Sequence, residues 1–266
     1  MNESIRAALG AAALWMTGTV IAAEGGFPQA NGQSAFEFAL IGDVPYGAPV
    51  GAPYLPFLNV IEDINADPQI RFVMHAGDIK SGSERCSDEL FADRLAYFQR
   101  LEGPFIMTPG DNEWTDCHRV NNGAFQPLER LAKLRDVFYP VPGQTLGRSP
   151  AQLDSQAAQG LPENMRWTHR GVVFATLHVV GSNNGLAAFD PASPAKRSAA
   201  DDAEVTARSA ATLAWMHQAF DLAESRDAPG VFLMMQANPG LEFNLSGVDR
   251  RGCGWAGDGA AGGGDA

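Results

Sequence analysis

Three Gly-Asp pairs, each following an apolar run of strand length, constrain the fold of this chain most. They are Gly42-Asp43, Gly77-Asp78 and Gly110-Asp111, which end the runs FALIGD, FVMHAGD and FIMTPGD. Successive pairs are about 35 residues apart, the length of one parallel strand–helix–strand unit. A single Gly-Asp pair is usually a turn in which the Asp side chain bonds its own backbone. Three pairs at the ends of buried strands instead predict carboxylates that converge on one edge of a sheet.

Apolar runs alternate with helix-like stretches along the whole chain. The predicted strands cover residues 35–41, 70–75, 104–108, 172–180 and 231–236. Near-continuous apolar strands separated by helices favour an α/β fold, in which helices cover the sheet on both sides. With 266 residues and 45% hydrophobic composition, the chain can form one sizeable core. Residues 140–160, rich in Pro, Gly, Gln and Ser, are predicted to form a long surface loop.

Capping residues predict three of the helices. Ser87 precedes a helix with apolar residues at helical spacing, and Pro127 occupies the first turn of the next. Asp201 or Asp202 is predicted to cap a longer helix. The inner face of that helix is predicted to carry Leu213, Met216 and Phe220.

Residues 1–23 are typical of a signal peptide, with Arg6 before an apolar stretch and small residues at positions 22 and 23. A buried first helix or a membrane anchor is the alternative, although the stretch is short for a membrane span. We therefore expect export to a periplasmic or extracellular compartment, without a stable membrane anchor. The formal net charge of −12 makes nucleic acid an unfavourable partner.

Export permits disulfides, and the chain has three cysteines. Cys86 and Cys117 each lie a few residues beyond a Gly-Asp pair, so they are expected to be neighbours and to form a disulfide. Cys253 would then be left unpaired. Three free thiols are the alternative.

Converging aspartates are costly in a partly dry site unless cations neutralise them. The sequence thus predicts a metal site, with Asp43, Asp78 and Asp111 as its ligands. Glycine before each aspartate allows the sharp turn and the close backbone approach that such a site needs.

This order and spacing of motifs resembles the calcineurin-like metallophosphoesterases, which include the purple acid phosphatases. The resemblance covers roughly residues 36–240. It implies a four-layer α/β fold, a two-sheet β-sandwich flanked by helices. It also implies two divalent metal ions (Fe, Mn, Zn or Mg) that activate a water to hydrolyse a small phosphorylated substrate. Neither the metal nor the oligomeric state follows from the sequence.

The resemblance assigns roles to individual residues. Asp43 corresponds to an aspartate on the first metal, Asp78 to the aspartate that bridges both metals, and Asp111 to a metal-binding asparagine. Asn112 takes the place of a histidine that positions phosphate or protonates the leaving group. Under a one-residue shift, Asn112 would instead be the ligand and Glu113 the acid. Pro45 stands where many relatives have a histidine, and His118 is the best candidate for a proton donor.

The last family motifs are altered. Gln236 stands where the fourth motif has a metal-binding histidine, and no histidine follows it. Residues 34–245 are predicted to form the phosphoesterase domain, and the Gly-rich residues 246–266 a disordered tail. The missing histidine motif predicts that the reading frame is truncated or shifted before that motif and that the activity of the chain is impaired. The alternative is a non-catalytic protein that binds metal or phosphate on the same fold.

Overall fold

The computed structural model describes residues 35–238 of the chain. The predicted signal peptide and the Gly-rich tail therefore lie outside the described residues. Two sheets and the helices around them make up this part of the chain. The strands are β1 (Glu37–Ile41), β2 (Ile70–His75), β3 (Phe105–Met107), β4 (Asp154–Gln156), β5 (Leu161–His169), β6 (Val172–Thr176) and β7 (Val231–Met234). The helices are α1 (Leu55–Ala66), α2 (Asp88–Phe98), α3 (Pro127–Phe138), the single turn α4 (Gly181–Asn184) and α5 (Ala199–Ser225), with short 3-10 turns between some elements.

The first sheet has the order β1-β2-β3 and is parallel throughout. The second has the order β4-β5-β6-β7, with antiparallel pairs up to β6 and a parallel β6–β7 pair. Because β1, β2 and β3 run in the same direction, their carboxyl ends meet at one edge. The α/β fold with two sheets and flanking helices is thus confirmed.

Aromatic side chains fill the space between the two sheets. Phe38 of β1 stacks on Phe72 of β2, with ring centroids 5.3 Å apart, and meets Phe232 of β7 edge-on at 5.2 Å. Phe72 also contacts Phe174 of β6 and Trp167 of β5. The alternate residues of the strands face outward, so Val173 and Ala175 of β6 pack against α5. This alternation places one helical layer outside each sheet.

Helix α2 begins where the sequence predicts, since the Ser87 side chain accepts a hydrogen bond from the Leu90 N–H. Helix α3 begins at Pro127. Helix α5 differs from the prediction, because Ser198 is its N-cap and Asp201 completes a capping box with it.

The predicted inner face of α5 was wrong. Leu213 is 52% exposed and Phe220 is 49% exposed. Met216 is half-buried, and the buried side chains are Asp201, Val205, Arg208, Thr212, Trp215, Ala219 and Ala223. Polar residues occupy this face because β5 offers partners to them: Asn164 donates to the Thr212 hydroxyl at 3.0 Å. A count of apolar side chains alone selects the wrong stripe of the helix.

Residues 140–160 are also more ordered than a surface loop. They contain β4, and Leu146, Ala151 and Leu153 are buried in the main core. A bridge between Phe105 and Leu146 fixes this segment to β3.

Candidate metal centre

The three Gly-Asp pairs lie together at the carboxyl edge of the first sheet. Asp43 follows β1, Asp78 follows β2, and Asp111 follows β3. The Asp43 N–H donates to the Gly77 carbonyl at 3.1 Å, which extends the β1–β2 pairing into the loops. The parallel register therefore brings the aspartates to one place.

The glycines of these pairs are required by close packing. Gly77 has a φ of +83°, and a Cβ there would stand 2.5 Å from the Gly110 nitrogen. A Cβ on Gly110 would overlap the Asp78 carboxylate. Asp43 and Asp78 have φ values of 58° and 59°, a left-handed conformation that aspartate tolerates better than most residues. The loops after β2 and β3 can thus pack this closely because Gly77 and Gly110 have no side chains.

Neutral hydrogen-bond donors join the carboxylates. The Gln236 side-chain nitrogen donates to Asp78 Oδ2 and to Asp111 Oδ1, both at 3.1 Å. Its oxygen accepts the Gly181 N–H at 2.6 Å, which fixes the orientation of the amide. Gln236 therefore lies beside Asp78 and Asp111, and it turns its nitrogen and not its oxygen toward them.

A serine side chain extends this network. Ser182 Oγ lies 2.8 Å from Asp111 Oδ2 and 2.7 Å from Asp116 Oδ1. A hydroxyl carries one hydrogen, so it can donate to only one of the two carboxylates at a time. A Cβ on Gly181 would stand 2.7 Å from Asp111 Oδ2, which explains the glycine before this serine. The sequence analysis did not identify Ser182.

The site has more carboxylates than cations: Lys80 is buried beside it, and its charge acts on Glu113, Asp116 and Asp78. Burial, then the charge of Asp111, raises the pKa of Asp78 to about 7. Burial, then the charge of Asp78, raises the pKa of Glu113 to about 8. Oxygen ligands in excess of positive charge suit a hard divalent cation such as Mg²⁺ or Mn²⁺. Between residues 35 and 238, however, no group of three or more His, Cys, Asp or Glu side chains is already placed to hold a metal ion.

Tyr46 is a site residue that the sequence analysis missed, although it follows Asp43 by only three positions. Its hydroxyl donates to Asp43 Oδ1 at 2.8 Å and accepts from the Asn112 side chain at 3.3 Å. Burial, with this hydrogen bond to Asp43, raises the pKa of Tyr46 well above its ordinary value. The phenol therefore stays protonated and links Asp43 to Asn112.

Glu113 is buried behind the aspartates and contacts the backbone. Its Oε1 accepts the Gly110 N–H at 2.7 Å and the Asp78 N–H at 3.1 Å. Its Oε2 has no hydrogen-bond partner among residues 35–238. The side chain is 0% exposed, and its role as the acid under a one-residue shift stays a prediction from the sequence.

His75 and the cysteines hold the neighbouring loops. His75 Nδ1 accepts the Gly77 N–H at 3.1 Å, and Nε2 lies 2.9 Å from the Val44 carbonyl. Cys86 and Cys117 form a disulfide with a Cα separation of 5.8 Å. Both sulfur atoms lie near the Asn112 carbonyl, at 3.5 and 3.6 Å. The disulfide thus ties the loop after β2 to the loop that carries Asn112.

His118, the candidate proton donor, contacts the segment around Phe189. Its ring stacks on Phe189 with centroids 4.4 Å apart, and Nδ1 accepts the Asp190 N–H at 3.0 Å. Burial, followed by the charge of Arg119, lowers the pKa of His118. Within residues 35–238, no hydrogen bond joins this imidazole to the three aspartates.

The class of protein is indicated by two features: three Gly-Asp pairs at the carboxyl edge of a parallel sheet, and a second sheet packed against that sheet. They are features of a metal-dependent hydrolase built on a two-sheet α/β sandwich. The profile of the calcineurin-like phosphoesterases matches residues 36–257, so the chain belongs to that family, whose members hydrolyse phosphate esters with bound metal ions. Neither the curated proteins nor the solved structures contain a match to the chain.

None of the helices within residues 35–238 is long and apolar enough to cross a membrane. The disulfide between Cys86 and Cys117 is compatible with an oxidising compartment outside the cytoplasm.

Proposed function

We propose that this chain hydrolyses a small phosphate ester with a metal-activated water at the carboxyl edge of the first sheet. The observation that carries the proposal is the convergence of Asp43, Asp78 and Asp111 with only neutral donors between them. The raised pKa of Asp78, caused by burial and then by the charge of Asp111, supports a site that gains from bound cations. Export to the periplasm or the medium belongs to the same proposal and is supported by the disulfide.

The residues present fit two divalent ions by donor chemistry. Asp43 and Asp111 would each contact one ion. The charges of these two aspartates both raise the pKa of Asp78, and Asp78 would contact both ions. Bound ions of this kind polarise the phosphoryl group and lower the pKa of a water. Gln236 contributes hydrogen bonds that orient Asp78 and Asp111, and it would have to turn its amide to offer its oxygen.

Asn112 is the residue proposed to contact the substrate phosphoryl group. Its backbone N–H donates to Asp78 Oδ1 at 3.2 Å, which places the residue beside the aspartates. Among the described residues, its side-chain nitrogen donates a hydrogen bond only to the Tyr46 hydroxyl, at the long distance of 3.3 Å. A phosphoryl oxygen is a stronger acceptor than a phenol. His118 stays a prediction from the sequence as a proton donor.

The test is hydrolysis of a phosphomonoester and a phosphodiester by the full chain, titrated with Mn²⁺, Fe²⁺, Zn²⁺ and Mg²⁺. We expect turnover that requires a cation and is abolished in Asp78→Asn. Asp63→Asn removes the same charge from the exposed surface of α1 and should keep the wild-type rate. Turnover that survives a chelator, or survives Asp78→Asn, would refute the metal site.

One observation favours the alternative, a non-catalytic protein that binds metal or phosphate. The Gln236 amide donates to both Asp78 and Asp111, and so occupies the position between the two carboxylates with N–H groups. Metal bound at a stoichiometry of one or less, without turnover, would support this reading. In that case Gln236→Ala should raise the metal affinity, because it frees both carboxylates.

A further inference from the structure

A guanidinium group lies at the rim of the metal centre and has no assigned role there. Arg119 follows the 3-10 turn Thr115–His118, and its side chain is 40% exposed. One terminal nitrogen pairs with Asp116 Oδ2 at 2.8 Å. An arginine carries five N–H donors, so this pairing leaves most of them to solvent or to a ligand.

The position of Arg119 relative to the aspartates is fixed by a short chain of contacts. The second oxygen of Asp116 contacts Ser182 Oγ at 2.7 Å, and Ser182 Oγ contacts Asp111 at 2.8 Å. Two side chains, those of Asp116 and Ser182, therefore connect Arg119 to Asp111, and Arg119 borders the same site.

A glycine keeps the space beside the guanidinium open. A Cβ on Gly82 would stand 3.1 Å from Asn112 Oδ1 and 3.5 Å from the Arg119 terminal nitrogen. Gly82 does not have a positive φ, so backbone strain does not require a glycine here. The glycine lets the Asn112 amide, which is proposed to contact the phosphoryl group, and the guanidinium lie on either side of the same backbone segment.

We propose that Arg119 binds a second anionic group of the substrate, next to the phosphoryl group that is hydrolysed. The inference rests on the proposed function and narrows its substrate class to phosphate esters that carry a further carboxylate or phosphate. A second negative group on the substrate needs a positive partner on a chain with a net charge of −12. Guanidinium groups bind carboxylates and phosphates through parallel N–H donors.

The test compares three substrates that share one ring: phenyl phosphate, 3-carboxyphenyl phosphate and 3-phosphonophenyl phosphate. We expect the wild-type chain to favour the acidic substrates over phenyl phosphate by about tenfold in kcat/KM, the effect of one charge-assisted contact in a half-exposed site. The preferred second group, carboxylate or phosphonate, identifies the type of substrate. In Arg119→Gln the preference should fall to about twofold or less, while Arg119→Lys should be intermediate because it keeps the charge without the fork.

Arg148→Gln is the matched control, because Arg148 is exposed and paired with Glu102, next to the amino end of β3. It should keep the wild-type preference. Equal preference in the wild type and in Arg119→Gln, or no preference in the wild type, would overturn the inference. Urea midpoints of the three arginine variants check that each is folded.

A second measurement separates this inference from the proposed function. Binding of phenylphosphonate and 3-carboxyphenylphosphonate to the Mn²⁺-loaded chain is measured by calorimetry, which needs no turnover. A chain that fails to hydrolyse esters but binds the acidic phosphonate more tightly, with loss of that difference in Arg119→Gln, would refute the hydrolase and uphold the anion site. Failure to bind either phosphonate would refute both.

Discussion

Replacement of Glu113 tests how the metal-centre loops are held. Its Oε1 is the acceptor for two buried N–H groups, those of Gly110 and Asp78. Glu113→Ala removes the acceptor from both. An unsatisfied buried donor costs about 1–3 kcal/mol, so the free energy of unfolding should fall by about 4 kcal/mol. Because these donors lie in the Gly-Asp loops, hydrolysis should fall as well.

Glu113→Gln is the matched control. The amide keeps a carbonyl oxygen for both N–H groups and fills the same volume. Burial raises the pKa of Glu113 to about 8, so its carboxyl is largely protonated at neutral pH and the amide resembles that neutral form. We expect a loss of about 1 kcal/mol or less, since both hydrogen bonds are kept.

Urea unfolding, followed by fluorescence and circular dichroism, measures both variants at pH 7 and without added metal. A loss in Glu113→Gln as large as that in Glu113→Ala would show that the charge of Glu113, and not its two accepted hydrogen bonds, stabilises the loops. A loss below about 1 kcal/mol in Glu113→Ala would show that water replaces the carboxyl without cost.

Three further predictions concern the disulfide, the pH and a buried ion pair. Replacing Cys86 and Cys117 together by serine should lower the free energy of unfolding by about 3 kcal/mol in urea, from the loss of the closed loop. Reduced wild type should match that variant, and an unchanged midpoint would contradict the disulfide. Burial and the charge of Asp111 raise the pKa of Asp78 to about 7, so the apparent Mn²⁺ affinity should rise about tenfold per pH unit below pH 7 and level off above it. Calorimetry that finds flat affinity from pH 5.5 to 7 would contradict this. Burial alone would raise the pKa of Glu163, but hydrogen bonds with His178 and Arg135 outweigh it and lower the pKa to about 2. This stabilisation is complete above pH 4.5 and is lost as the pH falls toward 2. Arg135→Met should therefore lower the free energy of unfolding by about 3 kcal/mol at pH 7, and the variant should unfold in acid at a higher pH than the wild type. Equal acid midpoints for variant and wild type would refute the pairing.

The sequence predicted best the features that depend on neighbours along the chain. Strand β2 begins and ends where predicted, and the Ser87 cap is present, because periodicity and capping are local properties. The meeting of the three aspartates followed from the parallel order of their strands. The inner face of α5 could not be predicted, because its polar residues are buried against partners on β5 that are far away in the sequence.

The site residues that escaped prediction share the same cause. Tyr46 in the loop after β1 and Ser182 in the turn α4 are ordinary residue types, and only the fold brings their hydroxyl groups to Asp43 and Asp111. Tyr46 carried one signal, its position three residues after the first aspartate. Ser182 carried none, because its left-handed backbone, with a φ of 51°, is not visible in the sequence.

The loops of the candidate metal centre are held by contacts that do not involve the aspartate carboxylates. The loops after β1 and β2 are fixed by His75 through the Val44 carbonyl and the Gly77 N–H. Glu113 fixes the loops after β2 and β3, and the disulfide joins their outer parts. The aspartates take part in this frame mainly through their backbone, and their carboxylates accept hydrogen bonds from neutral donors such as Tyr46, Ser182 and Gln236. The folded chain thus holds several negative charges at one edge of the sheet before any cation binds, as a selective cation site requires.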